Sequence, residues 1–568
     1  YLFWPGMYCL AQPRTDSAAS AGSTYFKING FRSFFMGSNY RTEWMTPVKA
    51  PVIDLSAEHG GLTPVKRGGG KQTRSLRLQD PQGRQYTLRS IQKFITSKTL
   101  PGDLQSEAAA DLVSDGVSAS YPYAALSIPA IAEAAGIPHG HAKLVYIPDD
   151  PKLGEFRKDF ANMLALYEER VPDSVEKAWD TNEVADRLKD DNDNDVDQQA
   201  LLKIRILDMF VMDFDRHEDQ WTWGSYDHGK GKMFFPLAKD RDQAFYINRG
   251  LLPGIIKAPW LVPQLEGFKP KVKNINRFNF AARNVDRFFL DELNEADWRN
   301  ATKAFLSHMS DAVLEQALAQ QPAEIRSISG ESIVSVLKER RNNLEAEVMK
   351  YYRFLSKIVN ITGSDKKELF DIAHHDDGSI TVEVFKLNKD GELKLKMYSR
   401  TFDPLVTHEI RLYGFGGDDR FLVHGKKSPI HVRMIGGDGK DLFENTDPSA
   451  NGGLVYDVSN AGNSITGKFR DRFSTDTAVN NFNRLGYKYD QTIAFISVSY
   501  NEDDGLFLGA SLKMVRQGFR KTPYATMHQF SANHSLLTKA YNFHWYSEIT
   551  DVFGKRSDLI LDADIKAP

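Results

Sequence analysis

The chain has 568 residues, a formal net charge of −3 at pH 7, 41% hydrophobic residues and 11% aromatic ones. That length provides for three or four domains with real cores. The near-neutral balance excludes a global pull toward nucleic acid or an acidic membrane surface, and no run approaches the roughly 18 apolar residues of a spanning helix.

The chain begins at Tyr1. Leu2 to Leu10 (LFWPGMYCL) is apolar, and Cys9-Leu10-Ala11 places small residues as at a cleavage site. This reads either as the tail of a secretory signal whose basic start is missing or as an irregular apolar N-terminus. If Cys9, the one cysteine, leaves with a signal, disulfides cannot stabilise what remains. Gln12 to Ser23 reads as a flexible linker, so residues 1–24 form a first region.

A β-rich region is expected over 25–150. Gly61–Arg67, Gln72–Asp80 and Gln85–Ile91 predict three strands, joined by a glycine-rich turn and a tight one. Tyr123–Ala135 predicts a helix that Pro129 kinks or begins, and His141–Asp150 a strand. Residues 151–360 turn helical. Apolar residues from Leu201 to Val211 cover most of the circumference of a helix at Asp197–Phe214, which must therefore be buried. A second long helix is expected at Ile333–Val359, with Arg340, Arg341 and Glu345 on its wet side.

Over 361–470 the hydrophobic period changes to two, in SITVEVFKL, ELKLKMYSR and THEIRLYGF. In the last region, 471–568, the strands lengthen. Leu506, Leu508, Ala510, Leu512 and Met514 alternate with Phe507, Gly509, Ser511 and Lys513, and similar runs surround Phe543 and Leu561. Transmembrane barrel strands and half-buried soluble strands share this alternation. The absence of a covering helix favours the barrel. So few strands cannot close one, so the chain is expected to be a fragment of something longer. The whole reads as α+β.

Chemistry concentrates in DMFVMDFDRHEDQW (Asp208–Trp221) and KDRDQAF (Lys239–Phe245). Carboxylates crowded beside a buried helix are costly unless something binds them, and a divalent metal with a phosphate is a common solution. Asp215 is placed to orient an accepting hydroxyl and take its proton. His217 braces the loop. Gln220 and Asp240 supply metal oxygens, and Asp242 shares the ion, Mg²⁺ or Mn²⁺. The other reading of DRHEDQW is an ion-paired helix end. Trp221 and Trp223 are expected to pack beneath this loop, since base stacking lacks a basic stripe. No serine nucleophile elbow, HExxH or Walker loop is present.

Asp-x-His-x-x-Gln, followed some two dozen residues later by Asp-x-Asp-x-x-Phe, resembles the catalytic and metal segments of the HipA-like, CotH-like and Golgi secretory-pathway atypical kinases. The resemblance spans about residues 30–355 and implies a two-lobed protein-kinase-like module. By that resemblance Gly68, Gly69 and Gly70 stand for the phosphate loop, Ser75 contacts phosphate, Arg89 grips the nucleotide phosphates and Glu133 is its ion-pair partner. Gln220 stands where these families carry Asn, and Arg89 where they carry Lys. Both departures leave room for a pseudokinase.

Asn39–Leu55, Gly60–Leu78, Val196–Gln198, DRHEDQW with DRDQAF, and Gly518–Phe530 resemble exported Bacteroidota proteins. These join such a module to a C-terminal barrel similar to the bacterial surface antigen group of BamA and TamA, sometimes behind a metallophosphoesterase. That resemblance implies an outer-membrane location, with the kinase-like part in the periplasm or at the cell surface. It implies a nucleotide or other phosphate donor and an unidentified protein or small-molecule acceptor. The rival expectation is a non-catalytic outer-membrane assembly or secretion component with a kinase-like scaffold.

Two acidic features remain. Asp190–Asp197 mimics the opening of a calcium loop, but Val196 and Leu202 stand where Gly and Glu are needed, so a helix cap is expected instead. Gly414–Phe421 and Ile435–Phe443 resemble single turns of the RTX repeat, which would place Ca²⁺ at Asp419 and Asp441. Their spacing of about 20 residues is off the nine-residue period, and the other reading is a pair of tight β turns.

Overall fold

The computed structural model describes residues 16–22, 30–69, 73–94, 116–170, 177–256, 263–448, 450–554 and 557–567. The expected signal remnant (residues 1–15) and Gly70 lie outside these described residues. The chain divides into two compact units, one of residues 1–254 with 266–482 and one of 255–265 with 483–568.

In the first unit β1 (Asp16–Ala19) pairs with β2 (Val48–Pro51). β3 (Thr63–Gly68), β4 (Thr73–Gln79), β5 (Gln85–Lys93), β6 (Lys143–Ile147) and β7 (Met163–Glu169) then form an antiparallel sheet in the order β3-β4-β5-β7-β6. Alternation along the strands sets its faces. Leu76, Leu78, Tyr86 and Leu88 enter a core with Ile147, Leu153 and Phe160, which leaves Arg77, Thr87 and Arg89 for the other side. The sheet includes Met163–Glu169, past the expected boundary at 150. A helix at Ala124–Ala134 carries Pro129 in its interior.

The helix Gln198–Val211 is capped by Asp197, whose side chain accepts from the Ala200 N–H. That is the cap expected from the acidic run. The helix is apolar on nearly every side and is the centre of the largest core. After it, β9 (Trp221–His228) and β10 (Gly231–Ala238) form a hairpin, and β8 (Asp195–Val196) adds to β10. Trp221 and Trp223 are buried, as expected.

Arg340, expected on the wet side of the helix Glu331–Leu355, is fully buried. Its guanidinium donates to the carbonyls of Met209 and Phe210 at 2.7 Å each and pairs with Glu347 at 3.0 Å. It therefore satisfies the unpaired C-terminal carbonyls of the central helix.

The block from 358 onward winds as a parallel β-solenoid. One sheet runs β11 (Ile358–Thr362), β15 (Glu409–Gly416), β17 (His431–Asp438), β19 (Leu454–Tyr456) and β21 (Arg470–Asp471). The other runs β14 (Leu393–Phe402), β13 (Ile380–Leu387), β12 (Glu368–His374), β16 (Arg420–Gly425), β18 (Leu442–Asn445) and β20 (Ser464–Thr466). The rungs that carry the two glycine–aspartate turns lie 22 residues apart, with Arg411 beside Arg433 and Phe421 beside Phe443. Phe370, Phe421 and Phe443 stack between the sheets at 4.7 and 4.9 Å.

The second unit is an antiparallel meander of β22 (Gln491–Asn501), β23 (Gly505–Arg516), β24 (Thr526–Ser535), β25 (Tyr541–Ile549) and β26 (Leu559–Ala567). Its register puts Ile496, Val498, Leu508, Leu512, Phe530, Phe543, Trp545 and Ile565 on one face, where they are 38–82% exposed. Ser497, Ser511, Ser531, Asn533 and His544 occupy the other. Among the described residues no helix is long and apolar enough to cross a membrane, which says nothing of strands.

Candidate functional site

The central helix ends at Met212 in a left-handed conformation, and the chain turns into Asp213–Gln220. The anchor of this turn is Asp208, fully buried, with Arg205, Arg216 and Arg241 each 3.1 Å from its carboxylate. Burial alone would raise this carboxyl; the arginines, Arg216 foremost, hold it below the ordinary range. Arg216 also donates to the carbonyls of Lys239 (2.8 Å), Asp240 (3.0 Å) and Gln220 (3.3 Å), and its guanidinium stands 4.7 Å above the Trp221 ring. One buried side chain thus ties the loop before β9 to the segment after β10.

That segment presents two carboxylates to β5. Asp240, at a positive φ of 46°, pairs with Arg89 at 2.7 Å. Such a backbone angle is uncommon outside glycine and asparagine-like residues and tends to occur at working sites. Asp242 pairs with Lys93, also at 2.7 Å. Gln243 donates to Asp242 at 3.0 Å and accepts from Ser120 at 3.1 Å, which fixes the carboxylate's orientation. Burial and the neighbouring Asp242 push the Asp240 carboxyl up to about 6 against Arg89 and Lys93. Burial would raise Asp242, but Lys93, with Gln243 and Arg89, holds it below the ordinary range.

A cleft of about 440 Å³ opens between the sheet and the β9–β10 hairpin. Gly68, Gly69, Ser75, Arg89 and Asp240 all line it, so five residues selected from sequence meet there. Gly69 has a φ of 114°, and a methyl group on it would strike the Thr73 carbonyl, so this turn requires glycine. Glu168, Glu169 and Arg170, at the end of β7, form the far wall. Lys66, Arg77 and Lys239 also line the cleft, and among the described residues none of them forms an ion pair, although Asp219 and Asp240 act on Lys239.

Asp242 adjoins a smaller recess shared with Lys93, Arg89 and Asp240. Asp215 lines neither cavity. Burial raises its carboxyl, and Asp242 and Lys93 both act on it, so it lies within electrostatic reach of the recess. His217 accepts from the Asp219 N–H at 3.2 Å and lies 3.9 Å from Asp215, a bracing role. Gln220 is engaged through its backbone, by Lys239 and Arg216, and does not line the cleft.

Glu133 does not partner Arg89. It lies on the exposed side of its helix with Pro129 and Ala130, in a separate groove, while Arg89 is held by Asp240 and, at 3.6 Å, by Glu168. The helix turns Ala125 toward the Lys93 recess instead. Among the described residues no three His, Cys, Asp or Glu side chains are gathered for a metal ion. Asp240 and Asp242, expected as ligands, are engaged by Arg89 and Lys93. Lys93, Arg216, Lys239 and Asp213 were not singled out from sequence. Lys93 carried a signal, since it lies four residues beyond Arg89 and a strand's period of two puts both on one face.

Asp213 supplies a pH test. It is 1% exposed, one carboxylate oxygen has no hydrogen-bond partner, and burial pushes it up to about 7, with Arg216 opposing and Asp208 and Asp242 adding. The native state therefore holds a proton that the unfolded chain, with an ordinary pKa of about 3.9, releases. Its contribution is full below about pH 4 and is lost as pH rises through about 7. Urea unfolding at pH 5 and pH 8 should show a smaller pH-dependent loss in Asp213→Asn than in wild type. Equal losses would show that Asp213 does not hold the proton.

No protein-family model matches this chain, and no curated protein does. Among solved structures it is similar to the Helicobacter pylori proinflammatory kinase CtkA at 15% identity and a TM-score of 0.29, over 54% of this chain and 99% of that one. A TM-score this low does not establish a shared fold.

Proposed function

We propose that residues 30–355 form a kinase-like module whose cleft binds a nucleotide or another phosphate donor, for metal-dependent phosphoryl transfer or for binding alone. The observation that carries this is the cleft's composition. A glycine turn, Ser75 and the Arg89–Asp240 pair line it, together with three cations that form no ion pair among the described residues. Unpartnered cations around a glycine turn suit a polyphosphate better than a neutral ligand. Asp240 and Asp242 offer hard oxygen donors to Mg²⁺ or Mn²⁺, provided Arg89 and Lys93 turn from them to the phosphates. The ion would neutralise phosphate charge. Asp215, beside the recess, would orient the acceptor hydroxyl.

The apolar exposed face of the β22–β26 meander supports a second part of the reading, that these strands belong to an outer-membrane barrel with lipid on that side. A periplasmic module would favour a donor other than ATP. The twin ion pairs favour the rival reading, a non-catalytic scaffold, because they occupy the groups that catalysis needs.

A panel of nucleoside triphosphates, pyrophosphate and polyphosphate, each with Mg²⁺, Mn²⁺ or neither, tests the cleft by thermal shift. A ligand at 100 times its Kd stabilises by about 2.7 kcal/mol. A metal-dependent shift that Asp240→Asn removes is expected. Shifts from no member of the panel would leave the scaffold.

A further inference from the structure

The glycine–aspartate turns of the solenoid lie outside the cleft, and what they hold does not depend on the cleft's function. Glu368, Asp419, Asp441 and Asn463 stand one above another on successive rungs. The Glu368 N–H donates to Asp419 Oδ1 (2.7 Å), the Asp419 N–H to Asp441 Oδ1 (2.9 Å) and the Asp441 N–H to Asn463 Oδ1 (2.8 Å). This ladder uses one oxygen of each aspartate. The Oδ2 atoms of Asp419 and Asp441 are buried and accept nothing.

Asp457, which follows β19 and is not part of the ladder, brings a third orphaned oxygen. It is 0% exposed, and its Oδ2 is likewise buried without a partner. That oxygen is aimed at Asp441, because a methyl group built on Gly436 would collide with Asp457 Oδ2 and Asp441 Oδ2 at once. Asn480 donates to Asp457 Oδ1 at 3.0 Å and to the Gly437 carbonyl at 2.5 Å, and its own Oδ1 is buried and unpartnered. Among the described residues no Lys, Arg or His forms an ion pair with Asp419, Asp441 or Asp457.

A buried carboxylate without a cation costs several kcal/mol unless it gains a proton or binds an ion. Protonation, toward which burial pushes all three carboxyls, is the alternative. The free donors are all oxygens, two carboxylates and an amide, a set that suits a hard divalent cation and not a thiophilic one. We propose that Asp441, Asp457 and Asn480 hold a divalent cation of the Ca²⁺ class between rungs of the solenoid. The sequence pointed to Asp419 and Asp441; Asp457 and Asn480 are what the fold adds.

The test uses the full chain, stripped with a chelator and then titrated with CaCl₂. Expected are saturable binding by calorimetry and at least tenfold slower hydrogen exchange in residues 436–441 and 457–463. Asp441→Asn and Asp457→Asn should each abolish both effects, whereas Asp240→Asn, in the cleft, should leave them intact. The Asp240→Asn result separates failure here from failure of the phosphate-binding reading. Wild-type protein whose exchange at these turns ignores Ca²⁺ would overturn the proposal. So would a loss of stability between about pH 4 and about pH 8 that Asp441→Asn removes and Ca²⁺ leaves unchanged, the mark of a shared proton.

Discussion

Asp208→Asn is expected to lower stability by about 3–5 kcal/mol, the cost of removing one partner from a fully buried charge cluster. The substitution keeps the side chain's shape and removes its charge, so packing is not the variable. Arg205 retains Asp286 at 2.8 Å, but Arg216 and Arg241 lose the carboxylate each touches at 3.1 Å. Two guanidiniums are then left under-compensated in the interior. Urea unfolding followed by circular dichroism measures the loss. Asp227, whose Lys232 partner lies at the surface, gives a control in which Asp227→Asn should change little. Equal behaviour of the two variants would show that the Asp208 cluster does not organise the loop.

Arg89→Ala should weaken the metal–nucleotide complex about 10–100-fold, the worth of one or two charge-assisted hydrogen bonds of about 1.5–3 kcal/mol. In the free protein Arg89 neutralises Asp240, so its removal has two consequences of opposite sign. It frees Asp240 for a cation, which should tighten Mg²⁺ binding alone, and it strips the phosphates of a partner. Calorimetric titrations of metal alone and of metal with nucleotide separate the two. A variant that binds both as wild type does would place Arg89 outside the site.

Much of the framework was legible because it follows from hydrophobic period. The β-rich runs and glycine turns at 61–91 marked three strands, and the resemblance singled out Arg89. The all-round apolar run at 201–211 marked the buried helix. What escaped depends on tertiary placement. Arg216 acts on backbone carbonyls of Gln220, Lys239 and Asp240, and carbonyl groups leave no trace in residue type. Arg340 looked like a surface charge, yet it caps a helix end 130 residues away. Glu133 was assigned by its place after Arg89, but helical phase turns it outward. The glycine pairs were measured against a nine-residue repeat, whereas the two rungs that carry them lie 22 residues apart through two sheets.

The account turns on whether the cleft between β3–β5 and the β9–β10 hairpin receives a phosphate-bearing ligand. Hydrogen exchange on the intact chain, with and without saturating Mg²⁺ and a non-hydrolysable nucleoside triphosphate, tests this directly. Slower exchange is predicted at 66–69, 75–77, 87–93 and 237–243, and Arg89→Ala should require about 10–100-fold more ligand to reach it. Unchanged exchange in all four segments, with pyrophosphate and polyphosphate equally silent, would contradict it.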